Sequence, residues 1–460
     1  MSLKGVIALL VLTIALAIPT WIVTRAPRPA DAPTRLFATT DLSKSDAIEL
    51  SHSSGKSMRI TRIDAASDRW MLTWKEGNQD RTWPASTPRV RGVLRLLSGL
   101  VTGSPSDRSP TQSSGLSITI GTTKVHAAID ETLVSGRAAL RLDDKSSSLI
   151  DTGLHSVLTT PDPAVWRDPT AFASPIADAS RLSISTGGQE LSLARVGRQW
   201  AIVKPVAEPA DRALVDELLK SLASIQAQRF VPDSNADWSA PTANVRVELD
   251  QRTPSGEDVI RSTLAQELLI GGTADVGGTT ILARAAASNV ADSTRVPLWG
   301  PAPLVLSRQA LDTLTTDPAS VIARSPAPGA RADVARIRLS PADVLGSKPV
   351  EFIRTLSGWA RDNTPVSEVD AKAIDALLTL VFDVRADKVR SKPAPGAASL
   401  GSVALLREDS SPIATLDLSQ ITQGADAGFV ASRDVFHWTY APSAATKGVF
   451  AWVMARAAGT

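Results

Sequence analysis

The chain has 460 residues, 43% hydrophobic and 21% charged, and its 49 basic and 47 acidic side chains leave a formal charge of +2. That composition supports buried cores and excludes wholesale disorder. With no basic run to neutralise phosphates it argues against a nucleic-acid partner. The absence of cysteine excludes disulfides, thiolate metal sites and a cysteine nucleophile.

The first predicted element is Gly5–Val23, "GVIALLVLTIALAIPTWIV", 19 residues without a charge. At 1.5 Å per residue it reaches about 28 Å, close to a hydrocarbon core of ~30 Å. Pro19 predicts a kink, and Trp21 stands where an interfacial aromatic would. Residues 1–24 therefore read as a transmembrane anchor that meets the lipid bilayer through Gly5–Val23. A cleaved signal peptide ending at Ala15-Leu16-Ala17 is the competing reading. Lys4 precedes the run and Arg25 and Arg28 follow it, a count that leans weakly to a cytoplasmic body. A signal-anchor followed by the Pro-rich linker 25–40 is the usual export layout, and we expect a single pass in the cytoplasmic membrane with an extracytoplasmic body.

Beyond the linker the chain alternates. "AIELSHSSGKSMRITR" (47–62) predicts a hairpin turning at Ser54-Gly55, and "RWMLTW" (69–74) a third strand. Residues 82–100 predict a helix with Thr87 as N-cap, Pro88 at the first helical position, and an apolar face of Val90, Val93, Leu94 and Leu97. Residues 115–168 then give alternating strands, a short helix, "LTT" and an Asp-Pro.

The same order returns. A hairpin at 181–196 turns on Gly187-Gly188, a strand follows at Trp200–Val203, and Pro205 and Pro209 end it. Asp211 is the expected N-cap of a helix whose face is Leu214, Val215, Leu218, Leu219, Leu222 and Ile225. Strands within 244–307 and another "LTT" with Asp-Pro complete the unit, Leu158 and Leu314 lying 156 residues apart. A third, diverged copy starts at "RIRL" (336–339), with Ser367 and Asp370 resembling a capping box. The helix face there is Ile374, Leu377, Leu378, Val381 and Phe382, and its strand half is 402–442. We expect an α+β protein of three tandem modules (41–175, 176–326 and 327–460), each a mainly antiparallel sheet with one long and one short helix.

The pattern of strand Trp, Pro, "AD" and Leu-rich helix resembles the DUF4340 family, through Trp200, Pro205, Ala210-Asp211, Leu214–Leu222, "LLIGG" (268–272), "ILARA" (281–285) and "LDTLTTDP" (311–318). The first module carries a diverged copy ending "VWRDP" (165–169), while Trp359 in the third is followed by no "KP" and "DWSAP" (237–241) stands for the family's "YGL-P". The likeness covers about 40–325 well and 330–460 loosely. It implies a membrane-anchored protein outside the cytoplasm, linked with ABC-type exporters of the gliding-motility kind, and it supplies no catalytic residue.

No residue is nominated for catalysis, a cofactor or a metal. "SSGKS" (53–57) lacks the first glycine of a phosphate loop, the position being Leu50, and reads as a hairpin turn. Ser53-x-x-Lys56 has the spacing of an acylating pair without its helix. "GGTADVGG" (271–278) lies between strands, so its glycines serve a loop. His52, His126, His155 and His437 have no ligand spacing, and "DD" (143–144) and "RED" (407–409) read as turns. Trp70, Trp200 and Trp359 recur before the capped helices and read as core, with a ligand platform as the alternative. The resulting expectation is a non-enzymatic envelope protein with no cofactor, an accessory or scaffold subunit of an ABC-type export complex. A ligand or glycan binder, or a tethered hydrolase using convergent carboxylates, are the alternatives.

Overall fold

The computed structural model describes residues 34–66, 68–103, 112–142, 146–172, 175–231, 238–255, 258–291, 294–312, 314–342, 349–393, 396–422 and 427–457. The expected anchor Gly5–Val23 and the Asp143-Asp144 turn lie outside them. Among the described residues no helix is long and apolar enough to cross a membrane. The chain divides into two compact units, Met1–Pro169 and Thr170–Thr460.

The first unit holds one antiparallel sheet. Strands β1 (Ala47–Ser51), β2 (Ser57–Asp64), β3 (Arg69–Glu76) and β4 (Gln79–Ala85) form a meander that ends in helix α1 (Thr87–Ser98). A second meander follows: β5 (Ser113–Ile120), β6 (Thr123–Asp130), β7 (Arg137–Leu142) and β8 (Ser147–Asp151), then α2 (Thr152–Thr159) and the single turn α3 (Pro163–Trp166). The order β4-β3-β2-β1-β5-β6-β7-β8 sets the two meanders back to back. Their first strands pair at the centre, Ile48 opposite Ile118 and Leu50 opposite Leu116.

The second unit repeats this plan twice. One sheet comprises β9 (Arg181–Thr186), β10 (Gln189–Val196), β11 (Gln199–Lys204), β12 (Glu208–Ala210), β13 (Ala227–Phe230), β14 (Ala243–Ser255), β15 (Asp258–Thr273), β16 (Thr280–Ala291) and β17 (Thr294–Ser307). Helices α4 (Arg212–Ala223) and α5 (Gln309–Asp312) accompany it. The other comprises β18 (Arg336–Pro341), β19 (Val350–Thr355), β20 (Gly358–Arg361), β21 (Thr364–Pro365), β22 (Lys388–Arg390), β23 (Ala397–Leu406), β24 (Pro412–Ile421), β25 (Gly428–Arg433) and β26 (Phe436–Tyr440). Its helices are α6 (Glu368–Phe382) and α7 (Ala444–Ala457). Again the first strands of the two meanders meet, β9 on β14 and β18 on β23, and β13 and β22 close the far edges. Three antiparallel sheets with few helices make this a mostly-β member of the α+β class. The third departs from the expected helix lengths: α7, with 14 residues, is nearly as long as the 15-residue α6. Phe450 and Val453 of α7 are fully buried, and Phe352 and Phe429 of the sheet pack on Trp452 and Phe450.

Each first meander has a fourth strand where the sequence reading placed a direct path into the helix. Pro209, read above as ending a strand, lies in one of these, and Pro84 and Pro365 hold the same place in the others; they stand opposite Ala201, Met71 and Ala360. Proline is tolerated there because an edge strand has a side with no hydrogen-bonding neighbour. Each proline precedes the helix cap by two residues: Ser86, Asp211 and Ser367. The residue between stands opposite the recurring tryptophan, Trp70 with Ala85 and Trp200 with Ala210; Val366 N donates to Trp359 O. Tryptophan, proline and cap are thus locked in one register. Ser86, not Thr87, is the first cap, and the Thr87 hydroxyl donates instead to Asp68 O at 3.1 Å.

Alternation decides which side is sealed. Ile48, Leu50, Ile60, Leu72 and Trp70 point to one side with the buried α1 residues Val90, Val93, Leu94 and Leu97, as predicted. Trp200 and α4's Val215, Leu218, Leu219 and Leu222 are equally buried, whereas Leu214 and Phe382 are only half-buried. The Asp-Pro repeats have a structural use. Asp162 and Asp317 cap single helical turns by accepting from Ala164 N and Ala319 N, at 2.9 and 3.0 Å. The chain then returns along the proline-bearing edge strand: Ser86 N donates to Trp166 O and Asp168 N to Pro84 O. In the second unit Asp211 N donates to Val321 O and Ala323 N to Pro209 O.

Candidate functional site

The side of the first sheet turned away from α1 is a polar groove of about 730 Å³. Register places Thr73, Arg59, Glu49, Ser117 and His126 in one row across β3, β2, β1, β5 and β6. Alternation makes this row polar, because the intervening positions are committed to the core. Glu49 sits at its middle, accepting from Lys124 Nζ at 2.9 Å with Arg59 Nη1 at 3.5 Å. The Lys124 hydrogen bond foremost, opposed by partial burial, holds the Glu49 carboxyl below its ordinary value of 4.5. Ser117 is 7% exposed, and among the described residues its Oγ has no hydrogen-bond partner. A buried hydroxyl without a partner is unfavourable unless something arriving in the groove supplies one.

Serine, histidine and glutamate side by side resemble the ingredients of a nucleophilic triad. The arrangement is different: the carboxylate that would orient the imidazole is taken by two cations, and among the described residues His126 has no hydrogen bond to Ser117. What the row offers is a carboxylate flanked by cations beside an unused hydroxyl, suited to holding a small polar group.

On the corresponding side of the second sheet the acids are paired with arginines. Glu248 and Glu267 share Arg246 at 2.7 and 3.0 Å, Arg295 meets Glu267 at 2.7 Å, and Arg181 lies 3.8 Å from Glu248. In the third sheet Glu351 lies 3.7 Å from Arg336 and 3.5 Å from Arg338.

The residues weighed from sequence fall into place separately. Ser53–Lys56 is the β1–β2 turn, with Gly55 at φ +83° and Ser53 Oγ donating to Glu131 at 2.9 Å. The glycines of 271–278 lead from β15 into a loop where Asp275 accepts from Thr279 and Thr280, which lowers its pKa to about 2. His155 is buried against Asp130 O at 2.9 Å; His437 meets Ser432 Oγ at 2.7 Å, and burial lowers its pKa. Arg407–Ser411 is a turn between β23 and β24, Asp409 accepting from Ser411. Trp70 and Trp200 are core residues; Trp359 is half-buried under Arg354, the cation 5.7 Å from its ring. Among the described residues no group of three or more His, Asp or Glu could hold a metal ion. Sequence reasoning passed over Glu49, Arg59, Ser117 and Lys124. Alternation puts each on a polar side, but the β1–β5 pairing that unites them joins residues far apart in sequence.

Comparison with known families, characterised proteins and solved structures finds no match to the chain.

Proposed function

We propose that the chain is a membrane-anchored, extracytoplasmic and non-enzymatic protein, an accessory or scaffold subunit of an ABC-type export complex. Gly5–Val23 would be its single pass through the cytoplasmic membrane. The export context rests on the DUF4340-like residues quoted above. The observation that carries the scaffold reading is the threefold use of one sheet plan in which helices cover one side and charged residues line the other. Such sides offer broad contact surfaces. Strand addition is a poor docking mode for the second and third sheets, because their edge strands β12, β13, β21 and β22 have only two to four residues.

The hydrolase alternative needs carboxylates that converge, whereas Glu49, the central acid of the groove, faces Lys124 and Arg59. A sugar-stacking site needs an open indole face. Of the ten tryptophans among the described residues, eight are buried and Trp238 and Trp359 are half-buried beneath Arg284 and Arg354. The unpartnered Ser117 hydroxyl supports a second reading, a binder of a small polar ligand in the groove. Affinity purification in mild detergent tests the main proposal: transporter subunits should co-purify, and the native complex should shrink when the transporter is deleted. A complex unchanged in size after that deletion sinks it.

A further inference from the structure

A second cavity in the first unit, of about 710 Å³, lies on the sealed side, between α1, the segment 34–43 and the β2–β3 turn. Four arginines line it, Arg35, Arg62, Arg91 and Arg95, against two aspartates, Asp41 and Asp68. Both carboxylates are already used. Asp68, 6% exposed, accepts from Arg62 Nε at 2.9 Å, from Trp70 Nε1 at 3.2 Å and from Arg91 Nε. Asp41 caps a short 3-10 turn through Ser43 N at 3.2 Å and faces Lys44 at 3.5 Å. Among the described residues Arg35 and Arg95 have no carboxylate partner.

The two free guanidiniums are mounted on fixed backbone. Leu36 N donates to Leu100 O and Thr102 N to Thr34 O, both at 2.8 Å, so the segment bearing Arg35 is stitched to the chain leaving α1. Arg95 is in the last turn of α1, whose carbonyls are occupied: Ser98 Oγ and Gly99 N donate to Arg95 O, and Leu100 N to Leu97 O. An open cavity with surplus guanidinium charge, its two unpaired arginines exposed and carried on fixed backbone, is suited to a tetrahedral oxyanion, which two arginines can grip in bidentate fashion.

We propose that this cavity binds the phosphate of a membrane lipid headgroup. The lipid source rests on the anchor reading above and on chain length. Ten residues, 24–33, separate the apolar run from Thr34, the neighbour of the cavity-lining Arg35, and fully extended they reach at most ~35 Å. A cavity so leashed stays within reach of the headgroup layer, and a phosphate contact adds the second signal that steadies a single anchor.

The test uses the full-length chain in neutral detergent micelles, titrated with dihexanoyl phosphatidylglycerol, with glycerol 1-phosphate and with dihexanoylglycerol, binding being read by calorimetry. The phosphatidylglycerol should bind saturably, at least ten times more tightly than glycerol 1-phosphate, and weaken as salt rises. Dihexanoylglycerol should not bind. Arg35→Gln with Arg95→Gln should weaken phosphatidylglycerol binding at least tenfold, and Arg35→Lys with Arg95→Lys should fall between. Among the described residues neither side chain has a hydrogen-bond or ion-pair partner, so the variants should keep the wild-type near-ultraviolet circular dichroism. Equal affinity for glycerol 1-phosphate overturns the lipid source in favour of a free phosphate, and unchanged binding by the glutamine variant overturns the site. Alkaline extraction of membranes carrying the wild-type chain reads the anchor separately: release there with phosphate binding intact sinks the tether alone.

Discussion

At the residue scale, two buried polar groups have opposite standing. Ser117 Oγ makes no hydrogen bond among the described residues, so Ser117→Ala removes an unfavourable burial and little else. The variant should be as stable as wild type or gain up to about 1 kcal/mol in urea unfolding. A clear loss would mean that the hydroxyl is bonded in the folded state. Glu208 of β12 is the reverse case. It is 7% exposed and paired with Arg433 of β25, itself 11% exposed. Burial, outweighing the attraction of Arg433, raises the Glu208 pKa above its ordinary 4.5. A raised carboxyl binds its proton more readily folded than unfolded. Its contribution is therefore fully present below the unfolded value and lost as pH rises through the folded one. Arg433→Ala removes the opposing attraction and widens that window. It should cost about 3 kcal/mol, and urea unfolding should show a larger loss at pH 8 than at pH 5. An equal loss at both would place the cost in packing over Trp438 rather than in the stranded carboxylate.

At the element scale the recurring device is tryptophan, edge-strand proline and helix cap in fixed register. Asp211 serves twice, accepting from Ala213 N at 2.9 Å and pairing with Arg385. The two roles separate by substitution. Asp211→Asn keeps a good cap and loses only a pair whose arginine is 59% exposed, so it should cost under about 1 kcal/mol. Asp211→Ala loses the cap as well and should cost about 1–2 kcal/mol, read as a shift in the thermal midpoint. If the two variants behave alike, the ion pair matters more than the cap. The β20–β21 turn has no glycine: Asp362 and Asn363 adopt φ of +49° and +62°, which their short polar side chains tolerate. Helix α7 has no counterpart in the sequence reading. Its apolar residues do not fall on one stripe, because it packs on α6 and on the sheet together.

At the scale of the whole molecule, three sheets are distributed over two compact units. Within the second, Glu208–Arg433, Asp211–Arg385 and Trp438 Nε1 donating to Ala323 O at 2.9 Å fasten one sheet to the other. Calorimetry should therefore resolve two unfolding transitions, and Arg433→Ala should lower only that of Thr170–Thr460. Three transitions in the wild type would mean that these contacts do not couple the second and third sheets.

The sequence by itself determined the first hairpins of two modules, the three capped amphipathic helices, the caps Asp211 and Ser367 and most of each helix's buried face, because these follow from local periodicity and turn chemistry. Trp200 with Val215, Leu218, Leu219 and Leu222 was readable on that basis alone. Only the tertiary structure decided that the first strands of paired meanders meet at the centre of each sheet, and that Pro209, read as a break, belongs to an edge strand. It alone gathered Glu49, Arg59, Ser117 and Lys124 into one groove and left Arg35 and Arg95 without carboxylates beside a cavity. Pairing between distant strands is set by how sheet and helix surfaces fill space together, and residue spacing along the chain carries no record of it.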